Sequence, residues 1–175
     1  MAKSCSGNLD GDKVIVTDNN SKSLLVQRGF GENYKKYLVL DMYETLYLLE
    51  NNSLTVKCKG RKISAEKLID KVLKEDAKKY FLHRYEVYND IKSKGYVIKT
   101  GLKFGFDFRV YPKGKKISEE HTQFVVGVLP ETQTIKSEEL AKSVRMASTL
   151  HTDLILAIVD NELEISYYKI SREKF

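Results

Sequence analysis

Residues 96–129 read YVIKTGLKFGFDFRVYPKGKKISEEHTQFVVGVL. Three runs rich in aromatic and β-branched residues stand out in it: Tyr96–Thr100, Phe106–Tyr111 and Gln123–Leu129. Short runs of this kind bounded by glycine and proline predict strands. Gly101 turns the chain after the first strand, and Pro112–Ser118 predicts a basic loop after the second. Downstream, Ser137–Leu150 carries Leu140, Val144 and Ala147 at helical spacing, all turned inward. Leu154–Val159 (LILAIV) predicts a fully buried strand, Asp160–Glu162 a turn, and Leu163–Ile170 a closing strand. Upstream, Tyr80, Phe81, Tyr85, Val87, Tyr88 and Ile91 form a helical face, with Gly95 where a C-terminal cap belongs. The order α-β-β-β-α-β-β predicts an α/β (α+β) unit, a small mixed sheet flanked by helices.

The first half reads as a separate small mixed domain. Residues 1–11 are polar and predict a loose end. Lys13–Thr17 predicts a strand, DNNS (18–21) a turn, Ser23–Arg28 a further or edge strand, and Tyr37–Leu40 a short strand. Asp41 stands where it can cap a helix through MYETLYLLE, with Glu44 three residues on to complete a capping box. Leu54–Lys59 alternates as a strand. Ser64 is the N-cap candidate of a long helical stretch running to Gly95, with Lys67 rather than an acid at the box position. Leu68, Ile69, Val72 and Leu73 fall at helical spacing. The stretch is too long for one helix, so a break is predicted near Lys78–Phe81, which also divides domain 1–80 from domain 81–175.

The 175 residues are 42% hydrophobic, enough for a real core. Thirty Lys and Arg against 24 Asp and Glu leave a net charge of +6. That balance favours anionic partners, above all nucleic acid, or else a solubilising lysine-rich surface. Cys5 and Cys58 lack any zinc-site or disulfide-framework spacing and read as reduced thiols. The N-terminal stretch has no apolar signal region, and no run reaches membrane-spanning length, so a soluble cytoplasmic chain is expected. Phosphate-loop, dinucleotide and HExxH motifs are missing from the sequence, and no metal or cofactor is expected.

Histidines are few: His83, His121 and His151. Each is commonly structural or solvated. His83 lies in helix-like sequence and is expected on its surface or against the neighbouring domain; His151 follows a helix end, where a cation suits the dipole. His121 opens a strand and Tyr111 closes the one before it. In a hairpin the two converge at its open end, with Lys113, Lys115 and Lys116 between them as handles for phosphate. Such a pair suits metal-independent RNA cleavage, where one group takes the proton of a 2′-hydroxyl and another protonates the leaving 5′-oxygen. From the residues alone, a plain hairpin with an exposed histidine and a packed tyrosine is the more ordinary reading.

The run YEVYNDIKSKGYVIKTGLKFGFDFRVY (85–111), the spacing from Tyr111 to His121, and SVRMAS, LILAIVD and ISYYKI in that order resemble the archaeal tRNA-splicing endonuclease family. GNLDGDKVIVTD (7–18) is similar to the N-terminal domain of its single-gene, homotetrameric branch. The resemblance implies cleavage of precursor tRNA at bulge–helix–bulge junctions, leaving a 2′,3′-cyclic phosphate and a 5′-hydroxyl. It implies Tyr111 as general base, His121 as general acid, and Arg145 as the arginine that stacks on a bulged base. A phenol serves as a base near neutrality only with positive charge close by. The family's third catalytic residue is a lysine, and Thr152 occupies that position. Three explanations stand open: a weakly active or inactive variant, a non-catalytic structural subunit beside a catalytic paralogue, or a substitute cation such as Lys103, Lys142, Lys169 or a neighbour's residue. The resemblance also implies a dimer through strand 163–170 and a tetramer through loop 130–134 (PETQT), whose one acid is Glu131.

Overall fold

The computed structural model describes residues 5–101, 105–113 and 121–173, without the side chains of 75, 76 and 79. The chain divides into two compact units, Met1–Lys79 and Tyr80–Phe175. Among the described residues no helix is long and apolar enough to cross a membrane.

The first unit opens with β1 (Cys5–Asp10), β2 (Lys13–Val16), α1 (Asn19–Gln27), β3 (Glu32–Asn33) and β4 (Leu38–Leu40). It continues with α2 (Met42–Glu50), β5 (Leu54–Cys58), β6 (Arg61–Lys62) and α3 (Ala65–Val72). Its sheet runs β3-β4-β2-β1-β5-β6. Residues 5–10 of the stretch expected to be a loose end are therefore a strand at the middle of a sheet, antiparallel to β2 and parallel to β5. Its turn-like composition hides a packing requirement: a Cβ on Gly7 would lie 2.5 Å from Val14 Cγ1. The expected turn at 18–21 and strand at 23–28 are instead the cap and body of α1. Asp18 accepts from the Ser21 amide at 2.7 Å, which commits the following residues to a helical turn. The Asp41–Glu44 capping box forms in both directions. Glu44 is buried and also accepts from the Gly31 amide at 2.8 Å, fastening the chain before β3 to α2. Cys5, Val14, Val16, Leu25, Leu38, Leu48 and Val56 are among the residues that close the core.

Helix α4 (Glu75–Ser93) runs unbroken through 78–81, where a break was expected. The interruption lies earlier, at Leu73, whose extended backbone (ψ 133°) ends α3 after Ser64 has capped its start. The division between the units thus falls within α4. The second unit then adds β7 (Val97–Thr100), β8 (Phe108–Tyr111), β9 (Phe124–Pro130), α5 (Ser137–Thr149), β10 (Asp153–Val159) and β11 (Ile165–Ile170). The sheet order is β11-β10-β9-β8-β7. β9 and β10 are parallel and the other neighbours antiparallel.

Strand alternation assigns the two faces of this sheet. Phe108 meets Tyr88 of α4 with ring centroids 6.0 Å apart, and Tyr167 of β11 donates to Asp90 of α4 at 2.6 Å. Burial and the Asp90 carboxylate push the Tyr167 phenol well above its ordinary range. The opposite face presents Val125, Leu154 and Leu156 to Val144 and Ala147 of α5, with Leu140 packed alongside. LILAIV is less enclosed than expected: Leu154, Leu156, Ala157 and Val159 are buried, while Ile155 and Ile158 are partly exposed. His83, expected at a surface or domain contact, is only 5% exposed. Phe81 and Tyr85, two residues to either side of it on α4, are buried as well.

Candidate active site

Register gathers the sequence-predicted residues at one end of the second sheet. Val110 pairs with Phe124, and Phe124 with Asp153. Tyr111 is the last residue of β8, one step beyond Val110. His121 stands three residues before β9 begins, and Thr152 immediately before β10. All three therefore lie at the same edge of the sheet, on or beside three neighbouring strands. The Gln123 amide donates to the Val110 carbonyl at 2.8 Å and holds the approach to β9 in line. With strands about 4.8 Å apart, the Tyr111 and Thr152 backbones are separated by about 10 Å, with the chain leading from His121 into β9 between them.

The local sequence explains each placement. Gly101 gives its amide to the Asp107 carbonyl at 2.8 Å, and a Cβ there would lie 2.9 Å from the Phe106 carbonyl oxygen. The close approach requires glycine and folds the chain back into β8. Asp107 then accepts the Arg84 guanidinium on one oxygen and the Val128 amide, at 2.7 Å, on the other. Sequence reading took this aspartate only as part of a motif; its work is to fix β8 against α4 and β9. Tyr111 is 5% exposed. Its strand alternates with Phe108 and Val110, so Tyr111 and Arg109 face the side that α5 partly covers. The Arg109 Cζ lies 6.0 Å from the Tyr111 ring centroid. Arg109 was missed in the sequence, although its i, i+2 spacing from Tyr111 is the signal for a shared strand face.

His121 is exposed. Lys113 follows the strand end, with Nζ 4.9 Å from the Tyr96 ring centroid. Lys115, Lys116 and Lys103 lie outside the described residues. His151, exposed and at φ 52°, ends the turn after α5, and the Thr152 amide donates to the Ala147 carbonyl at 3.1 Å. Among the described residues the buried Thr152 Oγ1 has no hydrogen-bond partner. Lys142 is exposed on α5. Lys169 pairs with Asp153 at 2.9 Å and stands opposite Ile155. It shares its face with Tyr167, on the α4 side, so it is turned away from Tyr111. Arg145 is exposed on α5 and lines an open groove of about 440 Å³ with Leu140, Val144, Ile170 and Arg172. Arg172 is another cation of that groove, one that no motif singled out.

A family model described as the catalytic C-terminal domain of tRNA intron endonuclease matches residues 81–167, and one for its N-terminal domain matches residues 5–69. The chain is 36% identical to a tRNA-splicing endonuclease of Thermococcus gammatolerans, over 95% of this chain and 97% of that protein. It is 32% identical to one of Methanococcus maripaludis, over 96% and 94% respectively. A longer tRNA-splicing endonuclease of Methanosarcina barkeri is 32% identical over 93% of this chain and 47% of its own length.

Proposed function

Because the chain belongs to the tRNA intron endonuclease family, we propose that it cuts precursor tRNA at bulge–helix–bulge junctions by transesterification within the RNA. Tyr111 takes the proton of the 2′-hydroxyl, the 2′-oxygen attacks phosphorus, and the bond to the 5′-oxygen breaks. His121 gives its proton to that oxygen. The products are a 2′,3′-cyclic phosphate and a 5′-hydroxyl, and no metal takes part. The observation that carries this reading is the register Val110–Phe124–Asp153, which sets the Tyr111, His121 and Thr152 positions at one sheet end. Lys113, Lys115 and Lys116 hold phosphates nearby, and Arg145 stacks on a bulged base, a use suited to a planar guanidinium.

A second reading, a non-catalytic subunit that binds RNA beside a catalytic paralogue, draws its support from Thr152, which carries no charge. One experiment separates the two. The purified chain is incubated with a bulge–helix–bulge RNA, with and without EDTA. Cleavage undiminished by EDTA, with new 5′ ends that a kinase labels without prior dephosphorylation, is the expected result. RNA that is bound tightly and left intact favours the structural subunit.

A further inference from the structure

We propose that the turn Tyr34–Tyr37 of the first unit is a further RNA contact, one that takes unpaired nucleotides by stacking; this rests on RNA being the chain's partner, as proposed above, and not on the cleavage chemistry. The turn joins β3 to β4, where Asn33 pairs with Leu38. Its sequence is Tyr-Lys-Lys-Tyr, and all four residues are exposed. The two rings lie against each other, with centroids 5.1 Å apart and planes 23° from parallel. Tyr34 is 46% exposed and Tyr37 38%. Aromatic faces on which bases stack, set among cations that follow the phosphates, are the means by which single strands are held.

The surface is built before any ligand arrives. The Tyr34 amide donates to the Tyr37 carbonyl at 2.9 Å and closes the turn. Lys22 of α1 donates to the Tyr34 and Lys35 carbonyls at 2.7 and 2.9 Å and ties the turn to that helix. The Tyr34 hydroxyl donates to Glu32 at 3.2 Å, which steadies the ring and sets one carboxylate beside it. A base that stacks on rings held this way immobilises few further rotamers. Lys35 and Lys36 stand between the tyrosines in the chain and Lys22 adds its charge, so the cations outweigh Glu32. Phosphates on either side of a stacked base meet these ammonium groups. A duplex keeps its base faces stacked inside, so the turn selects unpaired nucleotides. A second copy of the chain fits less well. In loop 130–134 the one acid is Glu131, and it already accepts from Asn161.

The test measures, by fluorescence anisotropy, binding of the full chain to a labelled oligouridylate and to a blunt RNA duplex. Tyr34→Ala with Tyr37→Ala is expected to weaken oligouridylate binding about tenfold, as loss of a stacked base does, and duplex binding much less. Tyr34→Phe with Tyr37→Phe keeps the stacking faces and most of the affinity. Lys35→Gln with Lys36→Gln is expected to lower the slope of log affinity against log salt by about 1.4, two single-strand phosphate contacts at about 0.7 each. An alanine pair that binds oligouridylate as the unaltered chain does overturns the inference, as do equal losses on both RNAs. A phenylalanine pair that loses as much as the alanine pair assigns the effect to the hydroxyls and overturns stacking. Should thermal unfolding show the alanine pair to be misfolded, the lysine pair carries the test, and an unchanged salt slope overturns the inference. Variants that change the mass seen by light scattering, with oligouridylate affinity intact, make the turn a contact between copies and overturn it as an RNA site. Tyrosine-dependent binding by a chain that cuts no bulge–helix–bulge RNA counts against the cleavage reading and leaves this inference standing. Cleavage by a chain whose oligouridylate binding ignores both tyrosines does the reverse.

Discussion

Asp107 and Arg84 are joined by an ion pair that ties the segment before β8 to helix α4, and the second oxygen of Asp107 takes the Val128 amide of β9. Asp107→Ala removes both contacts and leaves the amide and the guanidinium without that acceptor. The expected cost is about 2 kcal/mol. Urea unfolding of the second unit measures it, and a loss below about 0.5 kcal/mol, the range of ordinary surface substitutions, contradicts the bracing role.

His121→Ala tests the proposed acid. General-acid catalysis contributes about 10²- to 10⁴-fold, so cleavage is expected to fall by that order while RNA binding holds. A variant that cuts at the unaltered rate removes His121 from the mechanism. Rescue by an RNA whose leaving oxygen needs no protonation, such as a sulfur-substituted 5′ position, identifies the step.

Arg145→Ala is expected to weaken binding to bulged RNA more than to a plain duplex, because stacking requires an unpaired base. For both RNAs, affinity falls steeply with salt as basic groups displace counterions. Equal losses on the two RNAs in a filter-binding series indicate generic charge contact and count against the stacking role.

The strands of the second unit were legible because they announce themselves: FDFRVY, QFVVGVL and LILAIV are short, apolar and set off by Gly, Pro or polar turns. The capping box at Asp41 and Glu44 was equally plain, since its chemistry is local. β1 was not legible. SGNLD has the composition of a loop, and its place between β2 and β5 depends on partners elsewhere, one of them about fifty residues on, that meet a glycine only in the folded chain. At the site, Tyr111 and His121 could be chosen from spacing. Arg109 was overlooked, although its i, i+2 spacing from Tyr111 marks a shared strand face. The turn after Leu73 was misplaced because its backbone leaves the helix without glycine or proline to mark the exit.

Assembly follows from the edge of the second sheet. β11 is an outer strand with Tyr168 54% exposed, and an unpaired edge of this kind invites association. A dimer formed by pairing β11 across a two-fold axis is expected. The loop after β9 offers less charge: Glu131 already accepts a hydrogen bond from Asn161 of its own chain at 2.9 Å. A tetramer held through that loop is expected to dissociate in high salt while the dimer persists. Light scattering across a salt series decides it, and a monomer at micromolar concentration and low salt contradicts both contacts.

The unpartnered hydroxyl of Thr152 bears on how this position can change over generations. The backbone there is held by the hydrogen bond that the Thr152 amide donates to the Ala147 carbonyl. A buried hydroxyl without a partner even works slightly against stability. Two of the four threonine codons lie a single base from a lysine codon. Among the described residues, then, no hydrogen bond ties the residue 152 side chain to the fold, and a charge there is a point mutation away. Asp107, which braces three segments at once, has no such latitude.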